Sequence, residues 1–341
     1  MLIDKLTTFL EGLRCKVIGK NFELISGTSN RQLAEKIAAI LQKQLNPEGT
    51  VGRFPDGEER VKLAKKPAIA DKHIFIIQST SPPDVAHHFM ELCIMIDAVK
   101  KAASRKITVV IPYYGYARQD RKDRSKVPIT ASLVAKFLET AGADAVFTLD
   151  LHAEQTQGSF DGPWDNPYGS KVLIPELLKR IDPKQTVIVA PDMGRAKRAR
   201  KWRKIMGAKG VAIIDKNRDG SSVEAMNMTG EVAGYDVIIS DDMIASAGTI
   251  IEAAQFCKQK GARRIFVVAT HGLFIKNALE RLNMRWEDGT DLIETVFVTD
   301  TIDHRDEVLN NPKIEIVSVA ELLAKAIMQI YTGKEMDNLI D

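Results

Sequence analysis

DVIISDDMIASAGTI, residues 236–250, reads as a strand running into a helix. Its aliphatic run shows no in/out alternation, as expected of a strand buried on both faces. Two acids, Asp241 and Asp242, end the run. A small-residue loop, Ala245–Ser246–Ala247–Gly248–Thr249, then opens the helix. Small side chains and a glycine let backbone N–H groups face an anion. The hydroxyls of Ser246 and Thr249 add donors, and the helix N-terminus adds partial positive charge. Two acids beside such a cradle suit a ligand that also has hydroxyls or carries Mg²⁺. The loop is shaped for a sugar phosphate; a glycine-containing turn with capping acids is the plain alternative. It is not a Walker A loop, because no Gly-Lys-Ser/Thr follows, and no G-x-G-x-x-G marks a dinucleotide site.

The same rhythm repeats outward in both directions. The runs HIFIIQ (73–78), ITVVIP (107–112), AVFTL (145–149), TVIVA (186–190), VAII (211–214) and RIFVVAT (264–270) are short and aliphatic. Helical patterns at 84–103, 130–141, 195–206 and 249–260 lie between them. Strands alternating with helices predict an α/β fold with mainly parallel sheets. Polar residues stand just past the strand ends: Ser79, Tyr113 and Tyr114, Asp150 and His152, Asp192, Asp215 and Lys216, and His271. Open α/β sheets bind ligands in that crevice.

A length of 341 residues suggests two domains. DGPWDNPYGS (161–170), dense in Gly, Pro, Asn and Asp, is the expected break. The reading is an N-terminal helical extension over 1–21, a first domain over 22–165 and a second over 166–317. The segment SVAELLAKAIMQIYTG (318–333) starts with a Ser318–Glu321 capping box, and its apolar face is expected to return to the first domain.

Composition sets limits on function. Apolar residues make up 45% and charged residues 27%, ordinary for a soluble globular chain and unlike a disordered, collagenous or rod-like one. A net charge of +3 argues against a general nucleic-acid coat. Cys15, Cys93 and Cys257 are far apart and odd in number, so they read as buried thiols in a reducing compartment, not as disulfides or zinc ligands. No stretch approaches the roughly 20 apolar residues of a membrane helix. The start, MLIDKLTTFLEGLRCK, reads as a short amphipathic helix, not a secretory signal. A cytoplasmic location is the expectation.

The second chemical signal is IPYYGYARQDRKDRSK (111–126). Five cations, Arg118, Arg121, Lys122, Arg124 and Lys126, follow a strand, preceded by Tyr113, Tyr114 and Tyr116 and interleaved with Gln119, Asp120 and Asp123. The mixture suits a polyphosphate nucleotide at least as well as RNA. A further basic run, Arg195–Lys204, has helical spacing and reads as a solvated face.

These segments together resemble the ribose-phosphate diphosphokinase family, also called phosphoribosyl pyrophosphate (PRPP) synthetase. The resemblance rests on SGTSNRQLAEKIA, RFPDGEERVKL, MELCIMIDAVKKA, YYGYARQDRKDRSKVPITASLVAKFLETAGA, LDLHAEQTQGSF, PDMGRAKRARKW, IIDKNRDG, DDMIASAGTI and ATHGLF, which run from about Ser26 to Ser318. It implies two similar phosphoribosyltransferase-like α/β domains. It also implies transfer of the β,γ-diphosphoryl group of ATP to the anomeric hydroxyl of ribose 5-phosphate, giving PRPP and AMP. On the matching positions, Asp241, Asp242, Ser246, Ala247, Gly248 and Thr249 hold ribose 5-phosphate. Phe54 stacks on adenine, Asp56 and Glu58 contact the nucleoside, and Arg118, Gln119 and Asp123 bind the rest of ATP. His152 and Asp192 anchor Mg²⁺–ATP. Lys216 and Arg218, on a mobile loop of roughly 216–225, are the catalytic cations that close over the transferring group. The resemblance further implies dimers that build hexamers, with the Phe54–Glu58 loop serving a neighbouring subunit's ATP site, and no nucleic-acid or membrane partner.

Three departures from the family pattern stand out. Ala245 and Ser246 replace an acid and a threonine, Gly194–Arg195 replaces Gly-Gly and adds bulk and charge near the phosphates, and THGLFIKNA and SVAE differ near the regulatory region. They leave a diverged, weakly active or regulatory paralogue, binding the same ligands or an active homologue, as the alternative to an enzyme. A simple phosphoribosyltransferase is disfavoured by the ATP-side pattern at 54–58 and 118–123.

Overall fold

The computed structural model describes residues 21–46, 50–64, 68–217, 225–336 and 339. The expected N-terminal extension lies outside these, Asn21 excepted, as do Cys15, Arg218 and the loop residues 218–224.

The chain divides into two compact units. The first takes the described part of Met1–Tyr168 with Thr301–Asp303 and Ser318–Asp341; the second takes Gly169–Asp300 with His304–Val317.

In the first unit, β1 (Phe22–Ser26), β4 (His73–Ile77), β5 (Lys106–Ile111), β6 (Ala145–Thr148) and β7 (Trp164–Asp165) form one parallel sheet in that order. The two remaining strands, β2 (Val51–Arg53) and β3 (Glu59–Val61), make a separate antiparallel hairpin. Ile74, Ile76, Val109 and Ile111 are fully buried, and each such side chain contributes roughly 1.5–3 kcal/mol by leaving water. The helix Arg31–Leu41 forms because Leu33, Ala34, Ile37, Ala38 and Leu41 make one apolar stripe. Asn30 caps its start, accepting from Leu33 N, and Gln42 ends it in the left-handed region at φ 51°. The C-terminal helix Ala320–Thr332 packs on this helix, and Tyr331 Oη accepts from Asn21 N at 2.9 Å. That helix begins later than the expected capping box. Val319 is its N-cap, while the Ser318 hydroxyl accepts from Ala320 N at 3.3 Å.

In the second unit the sheet order is β10 (Ala225–Thr229), β9 (Gly210–Asn217), β8 (Thr186–Ala190), β11 (Asp236–Ile244), β12 (Ile265–Gly272), β13 (Thr295–Thr299) and β14 (Ile314–Val317). All neighbours are parallel except β10, which runs antiparallel to β9. Both faces are apolar: Val187, Ile239 and Val267 face one core, Ile188, Ile238 and Phe266 the other. This is the physical origin of the unalternating runs. The basic run is a solvated helix face, Ala196–Met206, with Trp202 and Ala199 turned inward, but Arg195 does not belong to that face. Asp236, fully buried at the start of β11, pairs with Arg263 at 2.8 Å and Arg264 at 2.6 Å. β9 reaches Asn217, so the backbone of Lys216 is strand, paired with Met226, and not part of a loop.

Candidate active site

The four central strands of the second sheet, β9, β8, β11 and β12, bring their carboxyl ends to one edge. Lys216 stands near the end of β9, Asp192 follows β8, and Asp241 and Asp242 lie in the last residues of β11. Adjacent parallel strands 4.7–4.9 Å apart thus gather residues that are up to 50 positions apart in the chain.

The loop after β11 has the geometry of an anion cradle. Ala247 adopts φ 60°, ψ 4°, a left-handed conformation uncommon for a residue with a Cβ, and it leads directly into the helix Gly248–Gln259. That helix has no side-chain N-cap, so its first N–H groups are not claimed by a capping side chain. Thr249 is exposed, and Ser246 and Gly248 are half-buried. The sequence reading passed over Arg281, from the short helix Ala278–Leu282. It donates to the Ser246 carbonyl at 2.9 Å and so supports the cradle from behind. Arg281 lies 35 residues from the loop and carries no local signal.

Asp242 is fully buried and its N–H donates to Asp241 Oδ1 at 2.8 Å. Arg195 spans both acids, with Nε 2.7 Å from Asp241 Oδ1 and Nη2 2.5 Å from Asp242 Oδ1. Arg195, expected to add bulk and charge near the phosphates, places its guanidinium against the two acids of the loop. Burial pushes the Asp241 carboxyl above its usual range; Arg195 opposes this, and the neighbouring Asp242 charge reinforces it. Asp192 caps the turn Met193–Arg195, its Oδ1 accepting from Arg195 N at 3.1 Å.

In the first unit the stretch 112–129 is the connection between β5 and the helix Thr130–Ala141. Arg118, Gln119 and Asp123 are exposed on it. Gln119 is oriented by the Thr130 hydroxyl, which donates to its Oε1 at 2.6 Å. Tyr113 and Tyr114, which stand past a strand end where ligands are expected, are core residues. Tyr114 packs on Trp164 at 5.3 Å and donates to the Ala131 carbonyl. Their large apolar area favours burial once the phenol has a partner. Ser79 is also used structurally, donating to Thr301 O at 2.6 Å. His152 is half-buried beyond β6, after Asp150 at φ 53°.

Phe54, Asp56 and Glu58 sit at the tip of the β2–β3 hairpin, as the Pro-Asp-Gly signal predicts. Phe54 N donates to Glu58 O at 2.8 Å, Asp56 Oδ1 accepts from Glu58 N at 3.1 Å, and Gly57 takes φ 94°. Phe54 is 47% exposed, with the Arg60 guanidinium 6.0 Å from its ring centroid. The hairpin is fastened to the helix Val85–Lys101: Glu59 meets His87, and Arg53 Nη2 lies 2.8 Å from Asp84.

Comparison with known proteins decides the family. Residues 22–142 match the N-terminal domain of ribose phosphate pyrophosphokinase, and residues 221–341 the phosphoribosyl synthetase-associated domain. The chain is 48% identical to the ribose-phosphate pyrophosphokinase of Thermotoga maritima, over 90% of this chain and 94% of that one. It belongs to the ribose-phosphate pyrophosphokinase family. The Pasteurella multocida member is 43% identical over 91% of this chain and 96% of its own length. The fold matches the crystal structure of phosphoribosylpyrophosphate synthetase from Mycobacterium smegmatis with a TM-score of 0.84 and 35% identity, covering 92% of this chain and 100% of that one.

The donor chemistry of the matching residues suits Mg²⁺ through Asp192, whose carboxylate is a hard oxygen ligand. The His152 imidazole is a softer donor and suits Mg²⁺ less well. The two residues belong to different units of the chain. Glu59, His87 and Glu91 also bring ligand atoms within 4.8 Å of one another. Arg53 already supplies the cation there, 3.1 Å from His87 Nδ1 and 3.4 Å from Glu59 Oε1, and Glu91 is held by Thr28 and Gln78. That cluster is therefore read as the fastening of the hairpin.

Proposed function

We propose that this chain transfers the diphosphoryl group of Mg²⁺–ATP to the anomeric hydroxyl of ribose 5-phosphate, giving PRPP and AMP for nucleotide synthesis in a reducing cytoplasm. The observation that carries the reading is the β11 loop, where two acids precede a left-handed turn and a helix start without a side-chain cap. Ribose hydroxyls donate to Asp241, with the buried Asp242 behind it, and the loop N–H groups with Ser246 and Thr249 take the 5-phosphate. Phe54 stacks on adenine, Asp56 and Glu58 accept from the nucleoside, and Arg118, Gln119 and Asp123 position the rest of ATP. Asp192 and His152 hold the Mg²⁺ of the nucleotide, which when bound neutralises phosphate charge. Diphosphoryl transfer needs alignment and charge neutralisation more than a nucleophilic side chain. Lys216 and Arg218 supply cationic charge to the transferring group. The free cysteines fit a reducing compartment: burial pushes the Cys93 thiol up to about 11 and the Cys257 thiol up to about 12. No helix among the described residues is long and apolar enough to cross a membrane.

Incubation with ATP, Mg²⁺ and ribose 5-phosphate tests the reading. AMP and PRPP form in equal amounts; ATP hydrolysis without PRPP, or no reaction, removes it.

The exposed Phe54 suits a site completed by another copy of the chain, so the active unit is a homodimer or a larger assembly such as a hexamer. Two inactive proteins, Phe54→Ala/Glu58→Ala and Lys216→Ala, regain part of the activity when mixed and allowed to exchange subunits. Demonstrated exchange with no recovery, or full activity from a verified monomer, defeats the shared site.

A further inference from the structure

Asp241 and Asp242 are sequence neighbours at the dry end of a buried strand, with side-chain exposures of 14% and 0%. Two carboxylates this close and this desolvated require positive charge: a proton, a metal ion or a side chain. Here a side chain provides it. The Arg195 guanidinium meets both acids, Nε at 2.7 Å from Asp241 and Nη2 at 2.5 Å from Asp242, two ion-pair contacts from different nitrogens of one planar group. Arg195 is itself only 18% exposed, and its backbone N–H is anchored on Asp192 Oδ1. The nearest loop position that could add a third acid, 245, is alanine. Arg195 offsets part of the negative charge of the two acids, and their attraction for a divalent cation falls with it.

We propose that Arg195 is a positioning residue that serves as the built-in counter-cation of Asp241 and Asp242, so that the sugar-phosphate loop takes its ligand without a divalent ion of its own. The second half rests on the ribose 5-phosphate reading above; the first does not. Removing the guanidinium leaves a buried carboxylate pair that must take up a proton or a metal ion.

The test uses nucleotide-free protein and Mn²⁺ as a paramagnetic probe. Arg195→Gly keeps the turn, since φ −92° and ψ 0° at this position suit any residue. By electron paramagnetic resonance, Arg195→Gly gains a Mn²⁺ site at least about tenfold tighter than any in the native chain, and adding Asp241→Asn abolishes it. Arg195→Lys lies between the two. By calorimetry, the native chain binds ribose 5-phosphate equally in EDTA and in Mg²⁺, whereas Arg195→Gly binds it about tenfold more weakly in EDTA and recovers in Mg²⁺. Equal Mn²⁺ binding by native and Arg195→Gly protein overturns the counter-cation. Tighter sugar binding by Arg195→Gly in EDTA also overturns it, because Arg195 then obstructs the site. The Mn²⁺ pattern without ribose 5-phosphate binding to any variant upholds the counter-cation and removes the substrate reading. Should Arg195→Gly not fold, Arg195→Met carries the same comparison.

Discussion

Lys216→Ala lowers turnover by at least about 10²-fold while the fold and the affinity for ATP stay nearly intact. The reason is that a cation meeting the transferring group acts on charge that exists chiefly in the transition state, and losing one such contact costs about 10²–10³ in rate. Lys216 is well placed for this by its backbone. It lies next to last in β9, on the strand beside β8 and the Asp192 turn. Steady-state rates with nucleotide binding measured separately distinguish this from a binding defect. Unchanged turnover in the purified variant removes Lys216 from the mechanism.

Removing both arginines from Asp236 produces the largest expected loss of stability. Asp236 lies at the opposite end of β11 from the diacid, fully buried, and the guanidinium groups of Arg263 and Arg264 are its partners. Burial alone pushes its carboxyl up, but the hydrogen bonds from Arg264 and Arg263 outweigh this and hold it below the usual range. A carboxylate with a depressed folded-state pKa stabilises the fold above its unfolded value near 4, and this contribution disappears as pH falls through the folded value. In Arg263→Ala/Arg264→Ala the sign reverses. The Asp236 carboxylate loses both partners while water reaches it only in part, at a cost of about 1–3 kcal/mol at neutral pH. Its pKa rises above the unfolded value, so the loss shrinks as pH falls and the acid takes a proton. Urea unfolding between pH 4 and pH 7 measures this. A loss independent of pH refutes the account. Asp236→Asn costs less than the double substitution, because the cations it strands are partly exposed and rehydrate.

How much of this was legible depends on whether the signal is local. The β11 loop was legible because strand, acids, small residues and helix follow one another without interruption. The Phe54 hairpin tip was legible for the same reason, since Pro55, Asp56 and Gly57 specify a turn by their own backbone preferences. The Arg195 pair was not. Arg195 precedes Asp241 by 46 positions and meets it only because β8 and β11 are adjacent in the sheet. Arg281 under the loop is hidden in the same way. Tyr113 and Tyr114 misled because a position past a strand end indicates a crevice only for residues that gain by facing it. The edge strand β14, IEIV, alternates and is half-buried, so its short run gave no buried-strand signature.

The docking of Ala320–Thr332 on Arg31–Leu41 orders events during synthesis. The first unit's helix layer joins residues about 290 positions apart, so it cannot close until nearly the whole chain has left the ribosome. The second unit is almost continuous, from Gly169 to Val317 apart from Thr301–Asp303, and its strands emerge in one block. It is therefore free to fold while the apolar stripe of Leu33, Ile37 and Leu41 still awaits its partner. Nascent chains arrested near residue 318 would expose that stripe, and they are the species from which a chaperone or a protease would sample this protein.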